Sequence, residues 1–515
     1  MAESRDSVIQ FTSLLLAFLI FIFIFLAVKI VHRPKKKNSR TKIPPGPWRL
    51  PLIGNMHQLV CSLPHHRLRD LAEKYGPLMH LQLGEVRTVV VSSAEIAEEV
   101  LKTHGVIFAD RPCFVIEKDL TYNYTDIVSA PYGNYWRQLR RICTIELLST
   151  SRVKSFRSIR EEETSNLVET IYANEGSLLN LSEKIFALSY GITARAAFGK
   201  RCKDQRKFIS IVMEGIRFAS GFSIADLYPS IGLLEVITGM KSKFKKLHQE
   251  QDRILGDILT EHKDRKQNMK TGQGKAEEDL VDVFLRLQQD GDLEFPLTDN
   301  NIKAVIWDIF NAGSETSSTA VEWAMSEMLK NPRVMKKAQA EVRRVFDGKG
   351  KVDESSIHEL KFLKAIVQET LRLHPSAPLL LPRENTESCQ INGYEIPAKT
   401  RTIVNAWAIA RDPKYWIEPE KFNPERFLDR PIDYKGTNFT YIPFGAGRRI
   451  CPGIQFALPN LELPLAQMLY HFDWKLPNGM KADDLDMIEI FGVTVKRKND
   501  LMLIPIPYYP FLDNK

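Results

Sequence analysis

Cysteine is scarce in this chain, and segments of biased composition are missing. The 515 residues include only 6 cysteines, and no two of them form a C-x-x-C pair. A disulfide scaffold is therefore excluded, and structural zinc bound by cysteines is disfavoured. With 27 glycines, 28 prolines and 44% hydrophobic residues, the chain is neither collagen-like nor disordered. These numbers indicate a large globular protein with enough apolar residues for a substantial core.

Two further signals are missing. No G-x-G-x-x-G motif follows a predicted strand, so we expect no nicotinamide or flavin domain within the chain. The 11 histidines, including the neighbouring pair His65 and His66, show no spacing typical of metal ligands, and we expect them at the surface. A redox function would therefore need electrons from a partner protein.

The net charge of +8 is concentrated at one end of the chain. Residues 1–43 contain eight cations and two acids, which leaves a net charge of only +2 for residues 44–515. A nucleic-acid-binding protein would need a basic stripe in its folded body. The distribution favours a basic collar at a membrane surface, and we expect no nucleic-acid partner.

The collar follows a long apolar run. Leu14–Val28 contains 15 consecutive apolar residues, and Val8–Val31 is nearly as apolar, close to the ~20 residues that span a bilayer. Seven cations follow between Lys29 and Lys42, which places the rest of the chain in the cytosol. In a cleaved signal peptide the basic residues would come before the apolar run, and a small-residue cleavage site would follow it. We therefore expect an uncleaved transmembrane anchor over residues 1–31.

The remaining chain is predicted to hold one large domain. Prolines at 44, 45, 47 and 51 indicate a stiff connector, so residues 32–55 are expected to form a basic neck and proline-rich hinge. Residues 56–515 then form the folded domain. Helical patterns dominate its middle, and short strand signals lie towards both ends. The predicted fold class is mainly α (α+β), with small β-sheets.

Periodicity predicts several individual elements. Leu78–Leu83 and Val86–Val91 alternate as in a β-hairpin. A helix is expected to begin at Ser92, with the hydroxyl of Ser92 as its N-cap. Long helices are predicted over Leu179–Ala197 and Asn301–Leu329.

The strongest local signal is the loop Pro443–Gly453, PFGAGRRICPG. A lone cysteine is more often a small buried hydrophobe than a functional group. Here the glycines allow close approach of a flat ligand, and a helix predicted over Ile454–Leu469 places the Cys451 sulfur just before a helix N-terminus, where a thiolate is stabilised. Such a soft anionic ligand suits haem iron. Pro459 should kink this helix.

This loop resembles the F-x-x-G-x-R-x-C-x-G haem-binding signature of the cytochrome P-450 superfamily. The fixed positions are filled by Phe444, Gly447, Arg449, Cys451 and Gly453. The resemblance implies a single haem-thiolate domain in which Cys451 is the axial ligand of haem b iron. It also implies that Arg449 contacts a haem propionate and that Phe444 packs beside the sulfur.

Trp136 and Arg140 form a W-x-x-x-R pattern on one face of a predicted helix. Alone, this pattern is typical of a basic surface helix. Given the resemblance, we expect both side chains to contact the haem propionates, and Arg383 is a similar candidate.

Glu369 and Arg372 lie three residues apart in a predicted helix. Such a pair is most often an exposed ion pair worth a few tenths of a kcal/mol. It also resembles the family's E-x-x-R motif, and Arg426 stands in a segment similar to the family's P-E-R-F motif. The resemblance implies a buried structural triad of Glu369, Arg372 and Arg426 that fixes the loop carrying Cys451.

Ala312-Gly-Ser-Glu-Thr316 lies within the predicted helix Asn301–Leu329. Alone, the Thr316 hydroxyl would be expected to bond back to its own helix. The segment resembles the family's oxygen-activation motif A-G-x-[D/E]-T. It implies that a small residue leaves room for dioxygen and that Glu315 and Thr316 route protons to it. This favours a monooxygenase over a haem-thiolate isomerase or dehydratase acting without a reductase, which remains an alternative.

The segments PPGPWRLPLIGN and FGAGRRICPG are similar in sequence to those of plant microsomal cytochromes P-450 of the 71 clan. This implies electrons from NADPH through NADPH–cytochrome P-450 reductase, cytochrome b5 as a further partner, and a place in the endoplasmic reticulum membrane. The implied reaction is hydroxylation of a lipophilic plant specialised metabolite such as a terpenoid. A phenolic or alkaloid oxidase and a non-catalytic membrane scaffold are the alternatives. By analogy, the substrate pocket includes Ala312, Ala377, Leu379 and Phe491, although such apolar residues could equally belong to the core.

Overall fold

The computed structural model describes residues 42–60, 62–201, 205–218, 223–269, 278–430 and 432–508. The predicted anchor over residues 1–31 and most of the basic neck lie outside these ranges. Within them, every helix is too short or too polar to cross a membrane.

Helices make up most of the described chain. In chain order the α-helices are α1 (Pro64–Tyr75), α2 (Ala94–Glu98), α3 (Val115–Leu120), α4 (Asn134–Ile142), α5 (Thr150–Ser155), α6 (Arg157–Tyr172), α7 (Leu181–Phe198), α8 (Gln205–Phe218), α9 (Ile224–Leu227), α10 (Leu233–Ile237), α11 (Met240–Met269), α12 (Leu280–Asp290), α13 (Asp299–Lys330), α14 (Pro332–Phe346), α15 (Lys361–Leu373), α16 (Ala406–Ile409), α17 (Arg426–Asp429) and α18 (Ile454–His471).

The strands are short and form small sheets, as predicted. They are β1 (Leu78–Leu83), β2 (Val86–Val91), β3 (Leu179–Asn180), β4 (Arg383–Glu384), β5 (Cys389–Ile391), β6 (Tyr394–Ile396), β7 (Arg401–Val404), β8 (Phe472–Lys475), β9 (Glu489–Ile490), β10 (Lys496–Arg497) and β11 (Met502–Pro507). One sheet has the order β1-β2-β7-β4 and another the order β3-β11-β8, while β9 pairs with β10 and β5 with β6. Only the β2–β7 pairing is parallel among the described strands.

Helix α13 is the centre of the fold and confirms the helix predicted there. It begins with a reciprocal capping box, in which the Thr298 hydroxyl accepts from the Asn301 N–H and the Asn301 side chain accepts from the Thr298 N–H. It ends just before Pro332, which begins the next helix. Its 32 residues span about 48 Å at 1.5 Å per residue. Most of its side chains are buried, and it packs against α7 and α18.

The first hairpin is also confirmed, and it holds the proline-rich segment. Strands β1 and β2 pair from Leu78↔Val91 to Leu83↔Val86. The His80 N–H donates to the Pro45 carbonyl (2.7 Å), and the Asn55 side chain donates to the Pro47 carbonyl (3.1 Å). A Cβ on Gly46 would lie 2.0 Å from the His80 carbonyl oxygen, so only glycine allows this close approach. The proline-rich segment is therefore packed along β1.

Two predicted helix starts are wrong by one or two residues. The N-cap of α2 is Ser93, whose hydroxyl accepts from the Ile96 N–H (3.4 Å), while the Ser92 N–H is bonded to the Pro77 carbonyl. Residues Leu179–Asn180 form β3, and α7 begins only after them. In both cases a hydrogen bond to a distant part of the chain decides the boundary, which local periodicity does not record.

The helix predicted after Cys451 is present as α18. It runs through Pro459 and Pro464 without a break in its assignment. Because neither proline has an N–H, the carbonyls of Gln455 and Asn460 lack their usual partner four residues later. The kink expected at Pro459 does not interrupt the helix.

Candidate active site

The cysteine loop is closed by its own backbone. The Cys451 N–H donates to the Phe444 carbonyl (3.0 Å), and the Gly453 N–H donates to the Cys451 Sγ (3.3 Å). Gly447 has φ +69°, and a Cβ there would lie 2.0 Å from the Leu101 carbonyl oxygen. The signature glycine is therefore required both by its conformation and by close backbone packing. The sulfur lies three residues before the first residue of α18.

The environment of the Cys451 sulfur suits a metal cation. The side chain is half-buried, and burial raises the pKa of its thiol, although the Gly453 N–H and the charge of Arg140 act in the opposite direction. A further positive charge at the sulfur, such as that of a bound metal ion, would favour its thiolate form.

Two of the side chains predicted at the haem propionates meet around one backbone carbonyl. The indole N–H of Trp136 donates to the Ile127 carbonyl (2.9 Å), and an Arg449 Nη donates to the same carbonyl (3.2 Å). The Arg449 guanidinium lies 4.2 Å from the centre of the Trp136 ring. Arg383 donates instead to the carbonyls of Phe108 (3.3 Å) and Ala446 (3.1 Å). These donors are thus close to the cysteine loop but directed at backbone oxygens.

Arg140 differs from the other arginines. Its half-buried guanidinium makes no hydrogen bond or ion pair with any residue that the structure describes, and it acts electrostatically on Cys451. Burial lowers the pKa of Arg449 to about 9, and repulsion from Arg111 contributes. Burial also lowers the pKa of Arg383, with repulsion from Arg111 and Arg449. Buried cations that repel one another favour an anionic ligand, and the two propionates of haem fit this requirement.

The A-G-x-E-T segment forms an accessible patch on a buried helix. Ala312 is exposed and Thr316, one turn later on the same face, is half-buried. A Cβ on Gly313 would lie 3.1 Å from Thr193 of α7 and 3.5 Å from the Phe456 ring of α18. Gly313 therefore permits close helix packing, and Ala312 is the small residue that leaves open space.

Glu315 and Thr316 have different partners. The Thr316 hydroxyl donates to the Ala312 carbonyl one turn earlier (2.5 Å), the local hydrogen bond expected of a helical threonine. Glu315 is buried, and one of its oxygens accepts from the Thr494 hydroxyl (2.6 Å). Its other oxygen has no hydrogen-bond partner among the described residues. The two side chains do not hydrogen-bond to each other, although a water could still join them.

Two buried acids near the site were not predicted. Asp308, one turn before Ala312, accepts from the N–H groups of Ile127 and Val128 (both 3.0 Å). Burial raises the pKa of Asp308, and repulsion from the neighbouring Asp126 adds to this effect. The loop whose Ile127 carbonyl receives Trp136 and Arg449 is thereby tied to α13. An aspartate inside the apolar stretch of α13 was the available signal.

The three residues of the expected structural triad are in contact. Glu369 and Arg372 form a two-pronged ion pair (2.7 and 2.8 Å), and both side chains are fully buried. Arg426 adds a third hydrogen bond to Glu369 (3.0 Å). The triad is not the exposed pair that its spacing alone would indicate.

The triad is linked to the cysteine loop through Tyr441. The Tyr441 hydroxyl donates to the Gln368 carbonyl (2.8 Å), beside Glu369. Its ring packs against Trp416 and Phe427, and the guanidinium of Arg372 lies 5.1 Å from the centre of the Trp416 ring. Tyr441 lies two residues before Pro443, so the triad and an aromatic cluster together hold one end of the loop.

The expected pocket residues fall into two groups. Ala312 is exposed and Ala377 is half-buried. Leu379 is buried in a core cluster with Leu68 and Ile403, and Phe491 packs against the same cluster. Leu379 therefore has the core environment that the sequence left open.

The expectation that the histidines are surface residues is wrong for three of them. His65 is fully buried, His262 is 2% exposed, and His374 has only 9% of its side chain exposed. Each hydrogen-bonds a carboxylate from a distant segment: His65 with Glu489, His262 with Asp279, and His374 with Glu327. The spacing of residues along the chain could not show these pairings.

Known proteins resemble this chain over nearly its full length. Cytochrome P450 71D10 of Glycine max is 57% identical over 96% of this chain and 96% of its own. Tabersonine 16-hydroxylase 2 of Catharanthus roseus is 56% identical, also over 96% of both chains. Premnaspirodiene oxygenase of Hyoscyamus muticus is 52% identical over 97% of this chain and 99% of its own.

A family model and a solved structure agree with these relatives. The model described as Cytochrome P450 matches residues 44–504. The structure of a zebrafish cytochrome P450 with abiraterone has a TM-score of 0.73 and 28% sequence identity, and the match covers 87% of this chain and all of that one.

Proposed function

Because the chain belongs to the cytochrome P450 family, we propose that it hydroxylates a lipophilic plant metabolite with dioxygen and two electrons delivered from NADPH by a reductase. The observation that carries this proposal is the placement of the Cys451 sulfur before α18 while the A-G-x-E-T segment of α13 packs beside the same helix at Phe456. This packing supports a site at which a soft metal ligand and an accessible helix face lie near each other.

Haem, the cofactor of this family, supplies when bound the iron at which dioxygen is activated. In our proposal Cys451 binds that iron through its sulfur. Arg140 binds a propionate, since it has no partner among the described residues, and Arg449, Arg383 and Trp136 surround the same region. Phe444 is half-buried, and its ring lies edge-on to the Tyr434 ring (5.7 Å between centres). In our proposal it limits the access of water to the sulfur.

The protons are proposed to pass over Thr316 and Glu315. The Thr316 hydroxyl lies on the accessible face of α13, and it can accept a proton from one neighbour while donating to another. The free oxygen of Glu315 can bind a water that connects the two side chains. Ala312 leaves the space in which dioxygen and substrate meet.

Thr316→Ala is expected to separate electron use from product formation. General acid–base groups typically contribute 10²- to 10⁴-fold, so product formation should fall about 100-fold. NADPH oxidation should continue, with its electrons recovered as hydrogen peroxide. Product, NADPH consumption and peroxide are measured in the same reaction.

Thr316→Ser is the matched control because it keeps the hydroxyl. It should retain most of the ratio of product to NADPH. An unchanged ratio in Thr316→Ala would remove the proposed role of Thr316, whatever the overall rate.

Turnover is expected to require a reductase. Purified holoenzyme is incubated with a panel of lipophilic plant metabolites and NADPH, with and without NADPH–cytochrome P-450 reductase, and products are identified by mass spectrometry. We expect a product one oxygen heavier only when the reductase is present, and addition of cytochrome b5 should raise its yield. Conversion without reductase would instead support the isomerase or dehydratase.

A lipophilic substrate such as a terpenoid is supported by the apolar residues near the site. Ala312 and Ala377 offer no charge to a substrate. Relatives of similar identity are named for premnaspirodiene and for tabersonine, so the panel should include terpenoids, alkaloids and phenolics. The substrate that yields the oxygenated product decides among these classes.

The enzyme is proposed to be held at the endoplasmic reticulum membrane by residues 1–31, with its catalytic domain in the cytosol. The apolar run Leu14–Val28 and the seven cations that follow it support this topology. Residues 32–55 then form the basic neck and proline-rich hinge before the catalytic domain, residues 56–515.

A further inference from the structure

A group of potential metal ligands lies outside the haem region. His65 and His66, in the first turn of α1, meet Glu489 of β9. The Nε2 atoms of His65 and His66 lie 2.8 and 3.3 Å from the same Glu489 oxygen. One ligand atom from each of the three residues lies within 4.8 Å of the other two.

Neighbouring side chains orient these three residues. The His66 ring stacks on Trp407 (4.3 Å between centres, 22° between planes). The second oxygen of Glu489 lies 3.7 Å from His374 Nδ1, and His374 Nε2 hydrogen-bonds Glu327 (2.7 Å). A ligating carboxylate that is itself held by an outer histidine and a further carboxylate is typical of metal sites.

Ordinary hydrogen bonding does not account for the whole group. His65 is hydrogen-bonded to Glu489, but His66 Nε2 and His374 Nδ1 are buried atoms without an aligned hydrogen bond among the described residues. Three imidazoles thus approach one carboxylate, and the contacts of His66 (3.3 Å) and His374 (3.7 Å) are longer than that of His65 (2.8 Å). Side chains that converge in this way can share a cation placed between them.

We propose that His65, His66 and Glu489 form a binding site for a divalent transition metal ion, zinc above all. Two imidazoles and one carboxylate are a known zinc ligand set, with a water completing the tetrahedron. The ion takes the place of the proton between His65 Nε2 and Glu489. The His65 ring then carries its proton on Nδ1, so that Nε2 offers its lone pair to the ion. Metal–ligand bonds of about 2.0–2.1 Å require the ligand atoms to separate slightly from their hydrogen-bonded distance.

The group is open to solvent on one side. His66 keeps 39% of its side chain exposed, which opens a path for the ion. Arg411 lies over the Trp407 ring (4.0 Å), but its charge is paired with Glu420 (3.0 Å).

A second group of potential ligands in the same chain already contains a positively charged side chain. His262, Asp279 and Asp282 also have ligand atoms within 4.8 Å of one another. There an Arg265 nitrogen lies 3.3 Å from Asp279 and 2.6 Å from Asp282. A guanidinium already supplies the positive charge, so we expect no zinc at this second group.

The test measures the molar ratio of bound zinc to haem iron. Full-length holoenzyme without a polyhistidine tag is stripped with chelator, equilibrated with low-micromolar zinc and analysed for both metals by mass spectrometry. We expect one zinc per iron in the wild type. Competition with a chromogenic chelator should show at least about tenfold weaker zinc binding in His66→Ala and Glu489→Gln, and no change in Asp282→Asn.

Each result decides the proposal. A zinc-to-iron ratio near zero in the wild type would overturn it, as would equal zinc affinity in wild type and His66→Ala. His66 is partly exposed, so its replacement should not prevent folding, and the carbon monoxide spectrum of each variant verifies its fold. The measurement uses neither substrate nor reductase, so it stands apart from the proposed hydroxylation.

Discussion

Cys451→Ala is expected to abolish the thiolate-type Soret band in the carbon monoxide difference spectrum of the reduced protein. Cys451 is the iron ligand that we propose, and the Gly453 N–H is directed at its sulfur. Without that sulfur the iron would have no thiolate to push electron density towards bound ligands. Product formation should fall below detection in the same variant.

The other cysteines provide the control for this experiment. Cys389, half-buried on β5, is replaced in Cys389→Ala and should leave the spectrum unchanged. The spectrum is recorded at equal haem content, so that loss of haem and loss of the thiolate bond are distinguished. A thiolate-type band that persists in Cys451→Ala would remove Cys451 as the iron ligand.

Glu369→Gln is expected to lower the free energy of unfolding by about 3–5 kcal/mol, the usual cost of breaking a buried ion pair. Arg372 would keep its hydrogen bonds to the carbonyls of Ala410 (2.9 Å), Pro419 (2.6 Å) and Lys421 (3.2 Å). Its charge would therefore stay buried without a partner. Denaturant unfolding, followed by the far-ultraviolet signal and by haem absorbance, measures the loss.

The loss of stability should extend to the haem region as well. Glu369 also accepts from the Asn423 N–H (2.8 Å) and from Arg426, and the adjacent Gln368 carbonyl holds Tyr441. We therefore expect haem absorbance to change at a lower denaturant concentration than in the wild type. This would show that the triad supports the cysteine loop.

The same substitution at a surface pair is the control. Glu425 binds Arg333 (2.6 Å) and Lys337 (3.0 Å), but Arg333 is 66% exposed. Exposed pairs typically contribute 0–1 kcal/mol, so Glu425→Gln should lose less than about 1 kcal/mol. If the two variants lose equal stability, burial of the Glu369 pair is not what makes it strong.

Long or strongly patterned elements were predictable from the sequence. The β1–β2 hairpin, α13 and α18 lie within about two residues of their predicted bounds, because apolar periodicity and capping residues act locally. The start of α7 was not predictable, because Leu179–Asn180 pairs with β11 more than 300 residues later. Local patterns do not contain that pairing.

The residues of the site also divide into those that the local sequence predicts and those that it does not. The cysteine loop carries its signature in 11 consecutive residues, and the close approach of Gly447 to Leu101 explains one of the fixed positions physically. Asp308 and the histidine–carboxylate contacts of His65 were missed because their partners come from distant segments. For Thr316, the motif indicated a functional residue. Its hydrogen bond to the Ala312 carbonyl, however, is the one expected of any threonine in a helix.

The packing of the proline-rich segment along β1 also limits the reach of the membrane tether that we propose. Bonds to His80 and Asn55 hold Pro45 and Pro47 against the body, so these residues add no length between the body and the bilayer. If residues 1–31 form the proposed anchor, residues 32–41 join it to the body, and a fully extended stretch of that length reaches about 35 Å. The catalytic domain would then stay within about one protein diameter of the bilayer, where a lipophilic substrate dissolved in the membrane is at its highest local concentration.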